Sequence, residues 1–277
     1  MKGSRVRIRG SSTKGRRLPA VDDHFVAEGA RVEVVRGRLV MTPPADEPHA
    51  KAHLTLAYVL GAHVARGWLA AVDMLTRAAQ DSDFAPDASV YPEARDPETG
   101  GRRLEELAFE IASTQPLRVT TDKARGLTGR GVRRVFCILV KKARVLEWSG
   151  STDAWSPLAP DAEIADRCFA RPLRVAALLD AASADAAVVA ALDARFHPAI
   201  AAIEERGRAV GRAEGRAGGL REALLAVLEA RGLAVTPAQR QAIDAERDPG
   251  RLRRWISRAG TTPSVARLLR RRDTGDR

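Results

Sequence analysis

Residues 107–112 read Leu-Ala-Phe-Glu-Ile-Ala, an apolar run with one carboxylate inside it. A run this short, without the polar-apolar alternation of a half-exposed strand, belongs in the middle of a sheet covered on both faces. Such a position offers Glu110 no water. A buried lone carboxylate costs several kcal/mol unless it is paired or holds a cation. Three readings are open: an edge strand with Glu110 solvated, a pairing with an arginine, or a functional site.

Residues 84–123 surround Glu110 with what a site would need. Pro86-Asp87 precedes a β-prone stretch at 88–91, a polar Gly-rich excursion follows at 92–103, and Lys123 comes shortly after the Glu110 run. Two carboxylates converging from neighbouring strands repel each other unless a hard cation with oxygen ligands lies between them. Mg²⁺ is such a cation, with Mn²⁺ as an alternative. A metal there would polarise a scissile phosphate and acidify an attacking water. Lys123 would stabilise the developing negative charge or orient the nucleophile.

The flanking sequence places these residues in a frame. VEVVRGRLVM at 32–41 is a hairpin turning at Arg36-Gly37, ended by Pro43 and Pro44. A helix is expected after Pro48, because His49, His53, Leu56, Leu60 and His63 recur every three to four residues; Gly67 closes it. Strands are expected at 69–75, 88–91 and 107–112, a helix at 120–128, and a hairpin from 134–140 and 144–148. That order gives a mixed sheet flanked by helices, an α/β architecture. Residues 151–171 read as irregular. From 173 on the chain reads as helical, with matched starts at Thr236-Pro237, Asp248-Pro249 and Thr262-Pro263. The repeating Gly-Arg-Ala segment near 207–219 reads as a weakened helix or a linker.

The net charge of +11 is unevenly spread. Residues 1–20 hold seven Lys/Arg and no acid, and 204–277 hold seventeen Arg against ten acids. The middle, 21–203, carries 22 basic and 25 acidic residues, so it lacks a generic nucleic-acid footprint. The first twenty residues read as a disordered basic arm. Arg251, Arg253, Arg254, Arg258, Arg267 and Arg270–Arg272 read either as phosphate contacts or as the solvated face of a helical bundle. Two cysteines, Cys137 and Cys168, cannot build a disulfide framework and fit a reducing cytoplasm. No run approaches the ~20 apolar residues of a membrane span, and no apolar segment follows the basic N-terminus as a signal peptide would require. His49 and His53 share a helix face but lack a third zinc ligand, so a role at the rim of a site suits them better.

Pro86-Asp87, Glu110 in a strand and Lys123 together resemble the PD-(D/E)XK, restriction-endonuclease-like superfamily, and most closely a bacterial branch named for restriction endonucleases. In that branch the lysine has migrated to the following helix. The Phe109-Glu110-Ile111-Ala112-Ser113 stretch, the Gly131-Val132 step after Lys123, and the run Glu33, Gly37, Pro43-Pro44, His49 all match its pattern, over about residues 25–150. Ala112 stands where the eponymous lysine would be, Asp122 rather than an earlier acid accompanies Lys123, and Arg134-Val135-Phe136 replaces the usual Glu-Tyr-Trp.

The resemblance implies a restriction-endonuclease-like fold over 21–172, followed by an all-α accessory region over 173–277. It implies a Mg²⁺-dependent endonuclease acting on DNA, with Asp87 and Glu110 as metal ligands and Lys123 as the catalytic lysine. Glu33 and His49 would be accessory, Glu33 being either a third acid of the site or an exposed hairpin residue. By analogy the enzyme would be a homodimer. The alternative is a weakened or inactive copy of the fold that binds nucleic acid or a protein partner.

Overall fold

The computed structural model describes residues 18–27, 29–42 and 44–270. The basic arm up to residue 17, Pro43, Arg271 and Arg272 lie outside them. The chain divides into two compact units, Met1–His197 and Pro198–Arg277.

In the first unit, β1 (Val32–Val35) and β2 (Arg38–Met41) form the expected hairpin. Arg36 and Gly37 both have positive φ, 52° and 70°, the tight-turn conformation whose twist matches that of the strands. Helix α1 (Glu47–His63) starts one residue before Pro48, because the Asp46 side chain caps it by accepting from the His49 N–H. Leu56, Val59 and Leu60 are its buried face. There follow β3 (Trp68–Val72), β4 (Thr76–Ala79), β5 (Ser82–Phe84), β6 (Ala88–Pro92) and β7 (Leu107–Ala112). Helix α2 (Leu117–Arg130) then leads to β8 (Arg134–Leu139), β9 (Arg144–Ser149), β10 (Ala154–Pro157), β11 (Glu163–Ile164), β12 (Leu173–Arg174) and α3 (Ala181–Ala194).

Six strands form the main sheet in the order β10-β9-β8-β7-β6-β3, parallel only between β7 and β8. A four-stranded antiparallel sheet, β2-β1-β5-β4, lies on the α2 side. The mixed sheet flanked by helices is therefore present. All six residues of β7 are buried, and alternate ones serve different cores. Leu107, Phe109 and Ile111 pack with Leu56, Leu60 and residues of α3. Ala108 packs with Ala124 and Leu127 of α2.

Three features of the first unit differ from expectation. First, 151–171 is not irregular throughout but supplies β10, an edge strand of the main sheet, and β11. Second, the β4–β5 hairpin was not foreseen, because its buried residues Thr76, Ser82 and Asp83 are polar. Asp83 is satisfied by His24 Nδ1 and by the N–H groups of Phe25 and Val26. Thr76 donates to Glu105, which also accepts from Arg102. Such pairing is what allows polar groups inside a core. Third, the chain divides after His197, not after 172, because Leu173, Val175, Leu178, Ala184, Val188 and Ala191 complete the core beneath α1.

The second unit begins with one continuous helix, α4 (Pro198–Ala230), so the Gly-Arg-Ala segment is helix and not linker. Its last turns pack with α5 (Pro237–Asp244), α6 (Pro249–Ala259) and α7 (Val265–Leu269) around Leu224, Leu228, Ile243, Leu252 and Leu268. Thr236 and Asp248 cap α5 and α6 as their sequences suggest, whereas α7 is capped by Ser264 and not by Thr262. Arg251 pairs with Glu246 and Arg254 with Asp248, while Arg231 donates to the carbonyls of Ala259 and Thr262. Part of the arginine content is thus spent on holding the bundle.

Phe136 and Phe109 stack with centroids 5.0 Å apart and are both fully buried in adjacent strands. Phe136→Ala should cost about 3–5 kcal/mol. The loss would be read as a lower urea midpoint with an unchanged slope.

Candidate active site

The antiparallel register of β6 and β7 pairs Ala88 with Phe109. Continued by one residue it sets Asp87 opposite Glu110, on the same face of the sheet. One Asp87 oxygen, Oδ2, accepts the Ile111 N–H, which fixes the carboxylate against β7. The other, Oδ1, lies 3.2 Å from His49 Nε2 on α1. Ala108 and Ala112, two residues either side of Glu110, leave room on that face for a long acidic side chain.

Lys123 enters from α2 on the same side. Its Nζ donates to Glu33 Oε1 at 3.0 Å, to the Ala85 carbonyl at 3.0 Å, and to Glu110 Oε2 at 3.4 Å. Glu33 is buried, so the exposed-hairpin reading of that residue is set aside. Its carboxylate also accepts the Ala85 N–H. Asp87, Glu110, Lys123, Glu33 and His49 therefore line one cleft of about 910 Å³. Asp122, the acid beside the lysine, turns away to Arg36 and Arg125. Arg134 pairs with Glu147 and Asp166 and takes no part.

Sequence reasoning missed Asp73. It lies just past β3, and its N–H donates to the Asp87 carbonyl. His53 stacks on His49 with ring centroids 6.1 Å apart. Its Nε2 is 2.9 Å from the Asp87 carbonyl and 3.4 Å from Asp73 Oδ1. Nothing local in the sequence marks Asp73, because only the pairing of β3 with β6 brings it to the site.

A profile of the family described as "Uma2: Putative restriction endonuclease" matches residues 17–166, more than half of the chain. The chain belongs to the Uma2 family. A crystal structure titled as a putative nuclease belonging to DUF820, from Anabaena variabilis ATCC 29413, aligns with 58% of this Uma2 chain and 97% of its own. The identity is 19% and the TM-score 0.47. No curated protein matches.

The donor set in the Uma2 cleft fits a hard divalent cation. Among the described residues Glu110 Oε1 is buried without a hydrogen-bond partner, an arrangement that proteins rarely leave without a purpose. The Asp87 carboxylate and the oxygens of Glu110 are the ligand type such ions take. Burial pushes the Glu110 carboxyl up to about 8; Lys123 opposes the shift, and Asp87 and Glu33 reinforce it. Burial works against the Lys123 ammonium too, but Glu110, Glu33 and Asp87 outweigh it and hold the group above the ordinary lysine value. The hydrogen bond to Asp87 raises the His49 pKa against the pull of burial. Cys137 sits opposite Glu110 in the register of β7 and β8, and burial drives its thiol far up, so it is no nucleophile.

An acid whose pKa rises on folding stabilises the fold at low pH, and that contribution fades as pH climbs between the two values. For Glu110 the window runs from its ordinary 4.5 to about 8. Metal-free Glu110→Gln is expected to melt with the wild type near pH 5 and at a higher temperature than the wild type at pH 9. A wild type that is equally or more stable at pH 9 would mean that Lys123 fully compensates the ionised carboxylate.

Proposed function

We propose that this Uma2 protein is a Mg²⁺-dependent endonuclease that hydrolyses phosphodiester bonds of DNA, with Mn²⁺ able to replace Mg²⁺. The observation that carries the reading is the unpartnered, buried oxygen of Glu110 beside Asp87 in an open cleft. Asp87 and Glu110 would hold the ion. When bound, it supplies Lewis acidity toward the scissile phosphate and lowers the pKa of water.

The remaining work belongs to the side chains. Lys123 is held charged and immobile by Glu33 and the Ala85 carbonyl, so its ammonium can meet the negative charge that grows on the phosphorus oxygens. His49 and the Ile111 N–H each hold one oxygen of Asp87, which fixes the carboxylate's orientation before any ligand arrives. Glu33 acts through Lys123 and is a positioning residue. The basic residues near the two ends of the chain supply phosphate contacts that the mildly acidic middle lacks. Two free, buried cysteines suit a reducing cytoplasm.

The reading is tested by nicking of supercoiled plasmid with MgCl₂ or MnCl₂. Glu110→Ala and Lys123→Ala should each lower the rate about 100-fold or more, and EDTA should stop it. Cleavage that survives both substitutions would place the chemistry elsewhere. A wild type that binds plasmid in a salt-dependent way without cutting it would instead support the inactive, nucleic-acid-binding alternative.

A further inference from the structure

Helix α4 outruns the bundle it belongs to. Ala217, Leu224 and Leu228 are core of the second unit, but every residue from 201 to 216 is exposed. That is more than four turns of helix at 3.6 residues each. The stretch includes Gly207, Gly211 and Gly215, each of which weakens a helix. A bare helix of this length is marginal in water, because helical stability in proteins comes mostly from packing an apolar face.

The exposed stretch has such a face. Ile203 and Val210, 56% and 58% exposed, lie seven residues apart, and the same spacing continues to Ala217 and Leu224 in the bundle core. A seven-residue repeat is the seam of two helices wound together. One continuous stripe is thus covered at its C-terminal end and bare at its N-terminal end. The charges lie away from it: Arg208 pairs with Glu204 and Glu205, and Arg212 with Glu205. Ala202, Gly207, Ala209 and Ala213 flank the stripe, and such small side chains let a second helix approach closely. Four Arg against three Glu over 201–216 is too even a balance for a polyanion to be the partner.

We propose that α4 pairs, antiparallel, with α4 of a second copy of this chain through the stripe at Ile203 and Val210. The orientation follows from Arg206, which stands on the stripe between them and has no carboxylate partner among the described residues. In a parallel pair each residue meets its own copy, so two Arg206 guanidiniums would face each other in the seam. An antiparallel pair with its two-fold axis near residue 208 sets Ile203 against Ala213, and Arg206 against Val210, of the second copy. Each contact then occurs twice. The Arg206 side chain reaches Glu214 of the second copy, one turn beyond Val210, while its stem covers the apolar seam. Glu214 otherwise holds only Arg247, at 3.6 Å with both side chains largely exposed, a link weak enough to exchange. The pairing is independent of any reading of the cleft.

Sedimentation of the full chain over a range of concentrations is the test. The wild type should run at twice the chain mass when concentrated and shift to the chain mass on dilution. Ile203→Glu and Val210→Glu should sediment as monomers throughout, and should melt with the wild type once both are dilute, because neither side chain is used by the bundle. Arg208→Ala, on the outer face, should keep the dimer. Hydrogen exchange gives a second readout: the amides of 201–216 should lose protection on dilution and in Val210→Glu, while those of α6 keep theirs. For the orientation, Ile203→Cys mixed with Ala213→Cys should cross-link under oxidation, and Ile203→Cys alone should not; the native Cys137 and Cys168 are buried. A wild type that is monomeric at every concentration, a dimer that survives Val210→Glu, or Ile203→Cys cross-linking to itself overturns the proposal.

Discussion

The ammonium of Lys123 is the charge on which the cleft is built. It contacts a carboxylate on β1 and another on β7 while itself standing on α2, so one cation ties the small sheet, the large sheet and the helix between them. Each group is buried, and none could be left there alone. Removing the Lys123 ammonium would cost about 3–5 kcal/mol because the buried Glu33 carboxylate would stay behind unpaired. The arrangement is nonetheless incomplete: Lys123 reaches only one oxygen of Glu110, and the other has no hydrogen-bond partner among the described residues. A core assembled for stability alone would have closed that gap. Here local stability is held below what the surrounding packing could deliver, as is common where a site must accept a ligand.

Much of this could be read from the residues because the chemistry sits on regular elements. Glu110 in an apolar run announced a covered strand, and the strand is covered on both faces. The hairpin at Arg36-Gly37, the helix led by His49 and the helix carrying Lys123 all follow local rules of turn and periodicity. What stayed hidden depended on pairing between distant segments. The buried polar residues of β4 and β5 look like loop in sequence, since their partners, His24 and Glu105, lie more than twenty residues away. Asp73 was invisible for the same reason. Glu33 could be placed only once Ala85 and Lys123 were seen to meet it, 52 and 90 residues further along the chain.

The second unit shows the opposite balance. Its short helices were legible almost to the residue, because an N-cap with a proline behind it is a local signal. The exception, α7, is capped by Ser264 after Pro263 rather than by Thr262 before it; the Thr262 hydroxyl instead donates to the Ser264 carbonyl. The glycine-rich stretch, which propensity leaves open between a weakened helix and a linker, is helix. Five glycines at 207, 211, 215, 218 and 219 would each weaken an isolated helix by about 1 kcal/mol, yet α4 runs through them. Arg208 with Glu204 and Glu205, and Arg212 with Glu205, supply side-chain pairing along the same turns.

The charge map then separates two tasks within one chain. The cleft is acidic and the ends are basic, so the groups that could attract a nucleic acid are not those that line the site. On the proposed function, attraction is a matter of Arg and Lys against phosphates and weakens with salt. Entry of a phosphodiester into the cleft would be a matter of the divalent charge that Asp87 and Glu110 would hold, which salt would screen far less inside a partly enclosed cleft. On that reading the protein would have little affinity for a phosphate at its site until it is loaded with metal. The metal that would promote the chemistry would also decide whether the substrate can come close enough to react.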